Sequence, residues 1–361
     1  MIAQRYVLSM TWPRTVFVVL AGWMLFVVMD SMESARWLAA GTWSQVALFY
    51  VYRAPEVMAL MLGPGVVLGA LAALGLLNRR AEMAALAAAG RSLRSTALPA
   101  VLVVSGAAAV THAALAEWVI PPMGRQALRL AQDVFHLRTG RFWDFHHRSE
   151  WFRAGPIYAR AQPAAGDAYE RVMGVLVDDE LHVRQRLVAA RMQAAPTPGD
   201  FTLEGSVITT LPPSPAFEPA GTRTLHLPAA AAALSAPMGY PEHFTLVGLV
   251  RAIEKREAGG RDATAYRLAL LRRVTDPMMV FLLGLLAVPL AARQRREAPV
   301  ERLLFVGGIA VAGAQLALML ADMLAGRALL PSWLAAGLGP GLALVAALLL
   351  WRRAEGAKVA R

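Results

Sequence analysis

Where the apolar residues fall along this 361-residue chain limits what it can fold into more than any other feature. Six stretches are long and apolar enough to be membrane-spanning helices, at about 13–29, 57–77, 97–120, 269–292, 303–324 and 330–351. A bilayer core about 30 Å thick needs about 20 such residues at 1.5 Å of rise each. Between the third and fourth stretches the sequence changes character. There, proline, charged and polar residues are frequent, and alternation replaces continuous apolarity. The expected fold class is an α-helical membrane protein with six transmembrane helices, three plus three, and an inserted β-rich domain. Its expected divisions are 1–122, 123–266 and 267–361. The overall 57% of hydrophobic residues exceeds the roughly 45–50% of soluble domains and agrees with this reading.

Local signals refine the plan. Gly63-Pro64-Gly65 lies inside the second stretch, where neighbouring helices can satisfy the freed backbone groups. Pro121-Pro122 is expected to end the third helix, because proline supplies no amide donor and clashes with the preceding turn. No small-residue cleavage site follows the first stretch, so it reads as a retained helix. In the insertion, 172–177 and 181–191 read as strands around an Asp178-Asp179 turn, and 201–211 and 222–227 as further strands. Such short strands suit a sandwich, a jelly roll or a meander. Helical spacing returns over 244–257, and Gly259-Gly260 punctuates it.

Charge sets the expected orientation. The loop 78–96 holds Arg79, Arg80, Arg91 and Arg94 against Glu82 alone. The loop after the fourth stretch holds Arg293, Arg295, Arg296 and Arg302, and the C-terminus adds Arg352, Arg353, Lys358 and Arg361. On the opposite face, the loop after the first stretch carries Asp30, Glu33 and Glu56 against Arg36 and Arg53. Arginine marks the cytoplasmic side, which places both termini inside and the inserted domain outside. The net charge of +11 therefore reads as cytoplasmic loops rather than as a nucleic-acid surface. With no cysteine, disulfides and thiolate metal sites are excluded. No phosphate loop, zinc-protease motif or nucleophile elbow occurs, and no catalytic, cofactor or metal residue is expected. His146-His147 reads as a surface pair, and Asp178-Asp179-Glu180 as a turn rather than a calcium loop.

The segment 79–91 is expected to form a short helix, rich in Ala with Leu, Met and Glu, and stopped by Gly90. Met83 and Leu86 share a face, with Ala87 and Gly90 near it, and Glu82 suits the positive end of the helix dipole. Such a helix either inserts into a groove on a partner or lies on the membrane surface. Spacing alone does not choose between the two.

A set of motifs spread along the chain resembles the LptF/LptG permease family. They are Arg5-Tyr6, Asp30-x-x-Glu33, Arg80-Ala81-Glu82 with Gly90, Glu117-Trp118-x-x-Pro121, Gly260-Arg261-Asp262 with Tyr266 and Pro277, and Leu330-Pro331 with Trp333-Leu334. The resemblance implies half of a heterodimeric permease unit, paired with a second homologous permease and seated on a cytoplasmic ABC ATPase dimer. It implies extraction of lipopolysaccharide from the inner membrane and transfer, through a periplasmic β-jellyroll, to a bridge protein. It makes 79–91 the coupling helix, with Glu82 engaging the ATPase amid Arg79, Arg80, Met83, Leu86 and Gly90. Asp30-x-x-Glu33 looks closer to the LptG branch. That branch carries lysines at the outer end of helix one, where this chain offers only Arg36. By the same resemblance helices one and five line a lipid cavity.

Moving a lipid out of a bilayer exposes acyl chain at about 0.8 kcal/mol per CH₂, so a sheltered apolar route is needed. Phe17, Trp23 and Phe26 are candidates to line it, with packing against ordinary lipid as the alternative. Arg36, Arg272 and Arg273 are candidates for a phosphorylated headgroup, since Arg suits bidentate phosphate contacts. Anchoring to ordinary headgroups is the alternative for these. The competing functional reading is a membrane-anchored scaffold or mechanotransmission protein acting through its periplasmic domain.

Overall fold

The computed structural model describes residues 2–90, 92–135, 151–154, 157–163, 168–178, 180, 182–195, 197, 200–211, 216–226, 240–292 and 299–359. His146-His147 and Asp179 lie outside these residues. The chain divides into two compact units, one of Met1–His136 with Leu268–Arg361, the other of Leu137–Arg267.

The first unit holds helices α1 (Ile2–Leu38), α2 (Trp43–Arg79), α3 (Glu82–Ala88), α4 (Leu93–Ala114) and α5 (Ile120–Asp133). α7 (Thr264–Ala292), which begins just before this unit, α8 (Val300–Gly326) and α9 (Ser332–Val359) complete it. Among the described residues six helices are long and apolar enough to cross a membrane. An antiparallel sheet lies between the third and fourth of them in the chain.

Two expectations need correction. The polar stretch 30–56 is not a loop. α1 and α2 are each 37 residues long, about 55 Å at 1.5 Å per residue, and meet in a tight turn. Gln45 N donates to Thr42 Oγ1 at 3.4 Å, and Thr42 N donates to Gln45 Oε1 at 2.8 Å. This capping box satisfies two amides at the start of α2 and lets its helix begin well above the apolar run.

Nor does Pro121-Pro122 end the third helix. A π turn, Leu115–Val119, carries α4 directly into α5. The wider turn resets the register, so the two prolines occupy the first turn of α5, where a missing amide donor costs nothing. α5 then buries Ile120, Gly124, Ala127, Leu128 and Ala131 along one face and packs on α2, where Phe135 meets the Phe49 ring edge-on at 5.5 Å.

α2 is the central element. Gly65 and Gly69 lie four residues apart, one helical turn, and let α1 approach closely. A Cβ at Gly69 would stand 2.6 Å from the Thr15 amide nitrogen, and one at Gly65 would stand 2.5 Å from Val19 Cγ2. In lipid there is little hydrophobic gain from helix pairing, so such small-residue contacts supply the packing. Leu71, Leu74 and Leu77 of α2 join Val101 of α4, Leu283 and Leu286 of α7 and Leu303 of α8 in one core.

The second unit holds β1 (Trp151–Ala154), β2 (Ile157–Pro163), β3 (Ala168–Val177), β4 (Val183–Ala194), β5 (Asp200–Thr210) and β6 (Ala216–His226). Each strand pairs antiparallel with the next in sequence, the connectivity of a meander. Ala159, Ala161, Val172, Ala189, Met192, Phe201 and Leu203 form its core. β1 and β2 escaped the sequence reading. The inward positions of β2 include Ala159 and Ala161, a residue type depleted in strands.

Two left-handed residues bend the sheet, Arg171 (φ 51°) and Gly205 (φ 63°). A Cβ at Gly205 would stand 3.3 Å from the Ala190 Cβ. Arg171 falls across β4 from the same alanine, between the Glu170–Arg191 and Val172–Ala189 pairs. Both bulges therefore act at one crease, and bulges increase local twist.

At the β3–β4 turn Asp178 Oδ1 accepts from the amides of Glu180 and His182, at 3.1 and 2.8 Å. These bonds, His182 first, with Arg184 beside them, hold its carboxyl below the usual carboxylate range. In the same unit α6 (Leu246–Ala258) ends at Gly259. Arg256 on its last turn donates to the Asp262 carbonyl at 2.9 Å and lies 4.7 Å over the Tyr266 ring.

Candidate functional site

The segment between α2 and α4 is built by one unusual joint. α2 closes with Arg80 N donating to Leu76 O at 3.0 Å and Ala81 N to Asn78 O at 3.1 Å. Ala81 then takes a left-handed conformation, φ 61°, which costs an alanine roughly 1–2 kcal/mol. Its carbonyl accepts from Ala85 N at 3.0 Å and so opens α3 at once. Only Arg80 and Ala81 lie between the two helices. Gly90 ends the segment at φ 75° with nothing near its α-carbon. Ser92 Oγ accepts from Ser95 N at 3.1 Å to cap α4.

The residues singled out here separate into two faces. Met83 packs against the main core of the helical unit, and Leu86 is half-buried. Arg79, Arg80 and Gly90 are exposed, as are Ala84, Ala85, Ala88 and Ala89. The surface left over is therefore a low ridge of alanines, with arginines at its start. Glu82 sits at the boundary, its side chain 31% exposed and 3.9 Å from the Arg80 guanidinium. Gln4 of α1 donates from Nε2 to Ser95 O at 3.1 Å.

The candidates at the other end of the bundle fall into different surroundings. Phe17 is 70% exposed on α1. Trp23 is half-buried, and Phe26 lies 4.8 Å beneath the Arg53 guanidinium. Arg53 donates to Asp30 Oδ1 at 2.9 Å, and the Tyr50 hydroxyl donates to Asp30 Oδ2 at 3.0 Å. This buried group locks α1 to α2. Arg36 is exposed and rests 4.8 Å over Trp37.

Arg272 and Arg273 lie about 30 Å along α7 from its far end, by helical rise. Both are engaged inside the chain. Arg272 Nη2 pairs with Asp322 Oδ1 of α8 at 2.5 Å, and Arg273 donates to the Ala116 carbonyl in the π turn. Sequence reasoning missed Asp322. It is the one charged residue from 303 to 326, and a lone acid in an apolar span is a signal to look for its partner. Ala116 left no trace, because its role is a carbonyl freed by helix geometry. Among the described residues no group of three or more His, Cys, Asp or Glu residues stands where it could hold a metal ion.

Six candidate spans, a β domain inserted between the third and fourth, and a short helix hung between two spans define a polytopic integral membrane protein. The family described as lipopolysaccharide export system permease LptF/LptG matches residues 5–353, nearly the whole chain, and the chain belongs to that family. No individually curated protein gives a significant match.

Proposed function

We propose that this chain is one half of the membrane unit of an ATP-driven transporter that extracts lipopolysaccharide from the inner membrane. A second homologous permease supplies the other half, and a cytoplasmic ATPase dimer supplies the energy. The inserted domain lies in the periplasm and hands the lipid to a bridge protein, and both termini are cytoplasmic. Asp30-x-x-Glu33 favours the LptG branch.

The observation that carries the reading is the presentation of α3. A membrane-surface helix needs a large apolar side to sink into lipid. α3 turns Met83 toward its own bundle, half-buries Leu86 and exposes Ala84, Ala85 and Ala88. Such a shallow face suits the groove of a folded partner, and Glu82, half-exposed beside it, meets a basic residue there. Arg79, Arg80, Leu86 and Gly90 shape the same contact. On the lipid side, α1 and α8 are the two least buried spans, as walls shared with a partner and a lipid would be. Phe17 is the best placed of the acyl-chain candidates, with Trp23 and Phe26 behind it. Arg36 is the freest of the headgroup candidates, whereas Arg272 and Arg273 reach a headgroup only by leaving Asp322 and Ala116.

The test is co-purification from detergent with and without Glu82→Arg. Wild type is expected to bring down a cytoplasmic ATPase and a second permease. The charge reversal is expected to lose the ATPase while keeping the permease pair. An unchanged ATPase band removes the coupling role from Glu82. Absence of any ATPase with wild type overturns the transporter reading.

A further inference from the structure

α6 carries apolar side chains on two sides, and only one side packs within the chain. Leu249 and Ala252 are fully buried, and Arg256 joins them on that side. Leu246, Val247 and Val250 lie on another side and are 38–55% exposed. Residues one, three and four apart share a helix face, so the three form one apolar patch on the first two turns of this 13-residue helix. The charged residues border the patch. Arg251 and Lys255, both exposed, follow Val247 at steps of four along one edge, and Glu254 takes the next step after Leu246 and Val250 and closes the patch. Thr245 Oγ1 accepts from Gly248 N at 3.2 Å and caps the apolar end.

Contacts within the second unit fix where this patch stands along the chain. Only residues 259–263 separate α6 from α7. Gly260 turns the chain at φ 64°, and Arg261 N donates back to Arg256 O at 2.8 Å. Tyr266, in the first turn of α7, then touches both ends of α6. The Phe244 ring meets it edge-on at 5.7 Å, and the Arg256 guanidinium lies over it at 4.7 Å. Arg267 pairs with Glu257 at 2.7 Å beside them. The two ends of α6 are about 15 Å apart, so a helix that meets one side chain with both lies across the head of α7 rather than along it. α7 itself has 29 residues, about 43 Å by helical rise. That length matches the roughly 40–45 Å of a bilayer with its headgroup layers. The first turn of α7 therefore falls in a headgroup layer, and α6 crosses it there.

We infer that α6 is an interfacial helix that docks on the phospholipid surface, with Leu246, Val247 and Val250 set among the upper acyl chains and Arg251 and Lys255 on the lipid phosphates. An amphipathic helix held in the plane of the interface buries its apolar side in this way, with basic residues toward the anionic headgroups. α6 has the apolar side that α3 lacks. The inserted unit thereby gains a footing on the bilayer beyond its two chain connections to the spans. The inference needs only that α7 crosses a membrane, and it stands apart from the transporter reading.

The experiment uses the full chain reconstituted into vesicles of phosphatidylethanolamine and phosphatidylglycerol. The chain has no cysteine, so Val247→Cys and Val250→Cys each place one nitroxide label on the patch, and Gln185→Cys, exposed on β4, places one on the sheet as a reference. Collision of each label with oxygen, which concentrates in lipid, is compared with collision with a water-soluble nickel chelate. Labels at 247 and 250 are expected to favour oxygen and to report a depth of about 5–10 Å into the headgroup–acyl boundary, whereas the label at 185 favours the chelate. Labels at 247 and 250 that meet the chelate as freely as the one at 185 place the patch in water and overturn the inference. Labels shielded from both reagents also overturn it, because the patch is then covered by protein, a second copy of this chain or another.

Discussion

A side chain at Gly69 would have to push the backbone of α1 aside, because its Cβ would fall 2.6 Å from Thr15 N and 2.7 Å from Thr15 Cα. Backbone cannot yield as a flexible side chain does, so α1 and α2 would part. Gly69→Leu is expected to destabilise the protein by at least the roughly 1–3 kcal/mol of ordinary overpacking, read as a lower unfolding temperature in detergent. Gly308→Ala is the matched control, since a Cβ there meets nothing within 4 Å, and it should leave that temperature unchanged. Equal effects would show that the α1–α2 approach is not limited by Gly69. The same logic separates the left-handed positions. Gly90 needs no side chain in the way and has none, whereas Ala81 holds φ 61° at a cost. Two residues on, Met83 packs against the main core.

At the scale of elements, α7 is pinned on two sides near one end. Arg272 ties it to α8 through Asp322, and Arg273 ties it to the π turn through Ala116. The π turn thereby has two effects. It lets α5 restart in a register that accommodates two prolines, and it frees a carbonyl that a cation can cap. π turns inside helices are frequent at functional sites. Arg272→Asp or Asp322→Arg alone puts like charges together at the edge of an apolar phase and is expected to cost on the order of 1–3 kcal/mol. The double exchange restores opposite charges and should recover most of the unfolding temperature. A double exchange as unstable as the sum of the singles would mean that the pair does not hold α7 to α8.

For the whole molecule, the proposed orientation makes a direct prediction. The chain has no cysteine, so one introduced thiol reports one place. Gln185→Cys, exposed on β4, is expected to react with a membrane-impermeant maleimide in intact spheroplasts. Ala89→Cys, exposed after α3, should react only after the membrane is opened. The reverse pattern overturns the orientation. The number and order of spans were legible in the sequence, because a run of apolar residues reports its own transfer free energy without reference to any neighbour. The same holds for the short helix before Gly90 and for most strands, whose signals are local periods and turn residues. What lay beyond the sequence was every property that depends on a second element. The polar ends of α1 and α2 that meet at the turn are helical because Asp30, Tyr50 and Arg53 satisfy one another across the pair. The prolines at 121 and 122 lie within the helix because a π turn precedes them. Met83 faces inward because a core lies beneath it. Gln4 meets the Ser95 carbonyl across 91 residues of sequence only once the bundle has closed. Local chemistry is written in the order of the residues, whereas a hydrogen bond or a close approach between distant segments exists only in the packed structure.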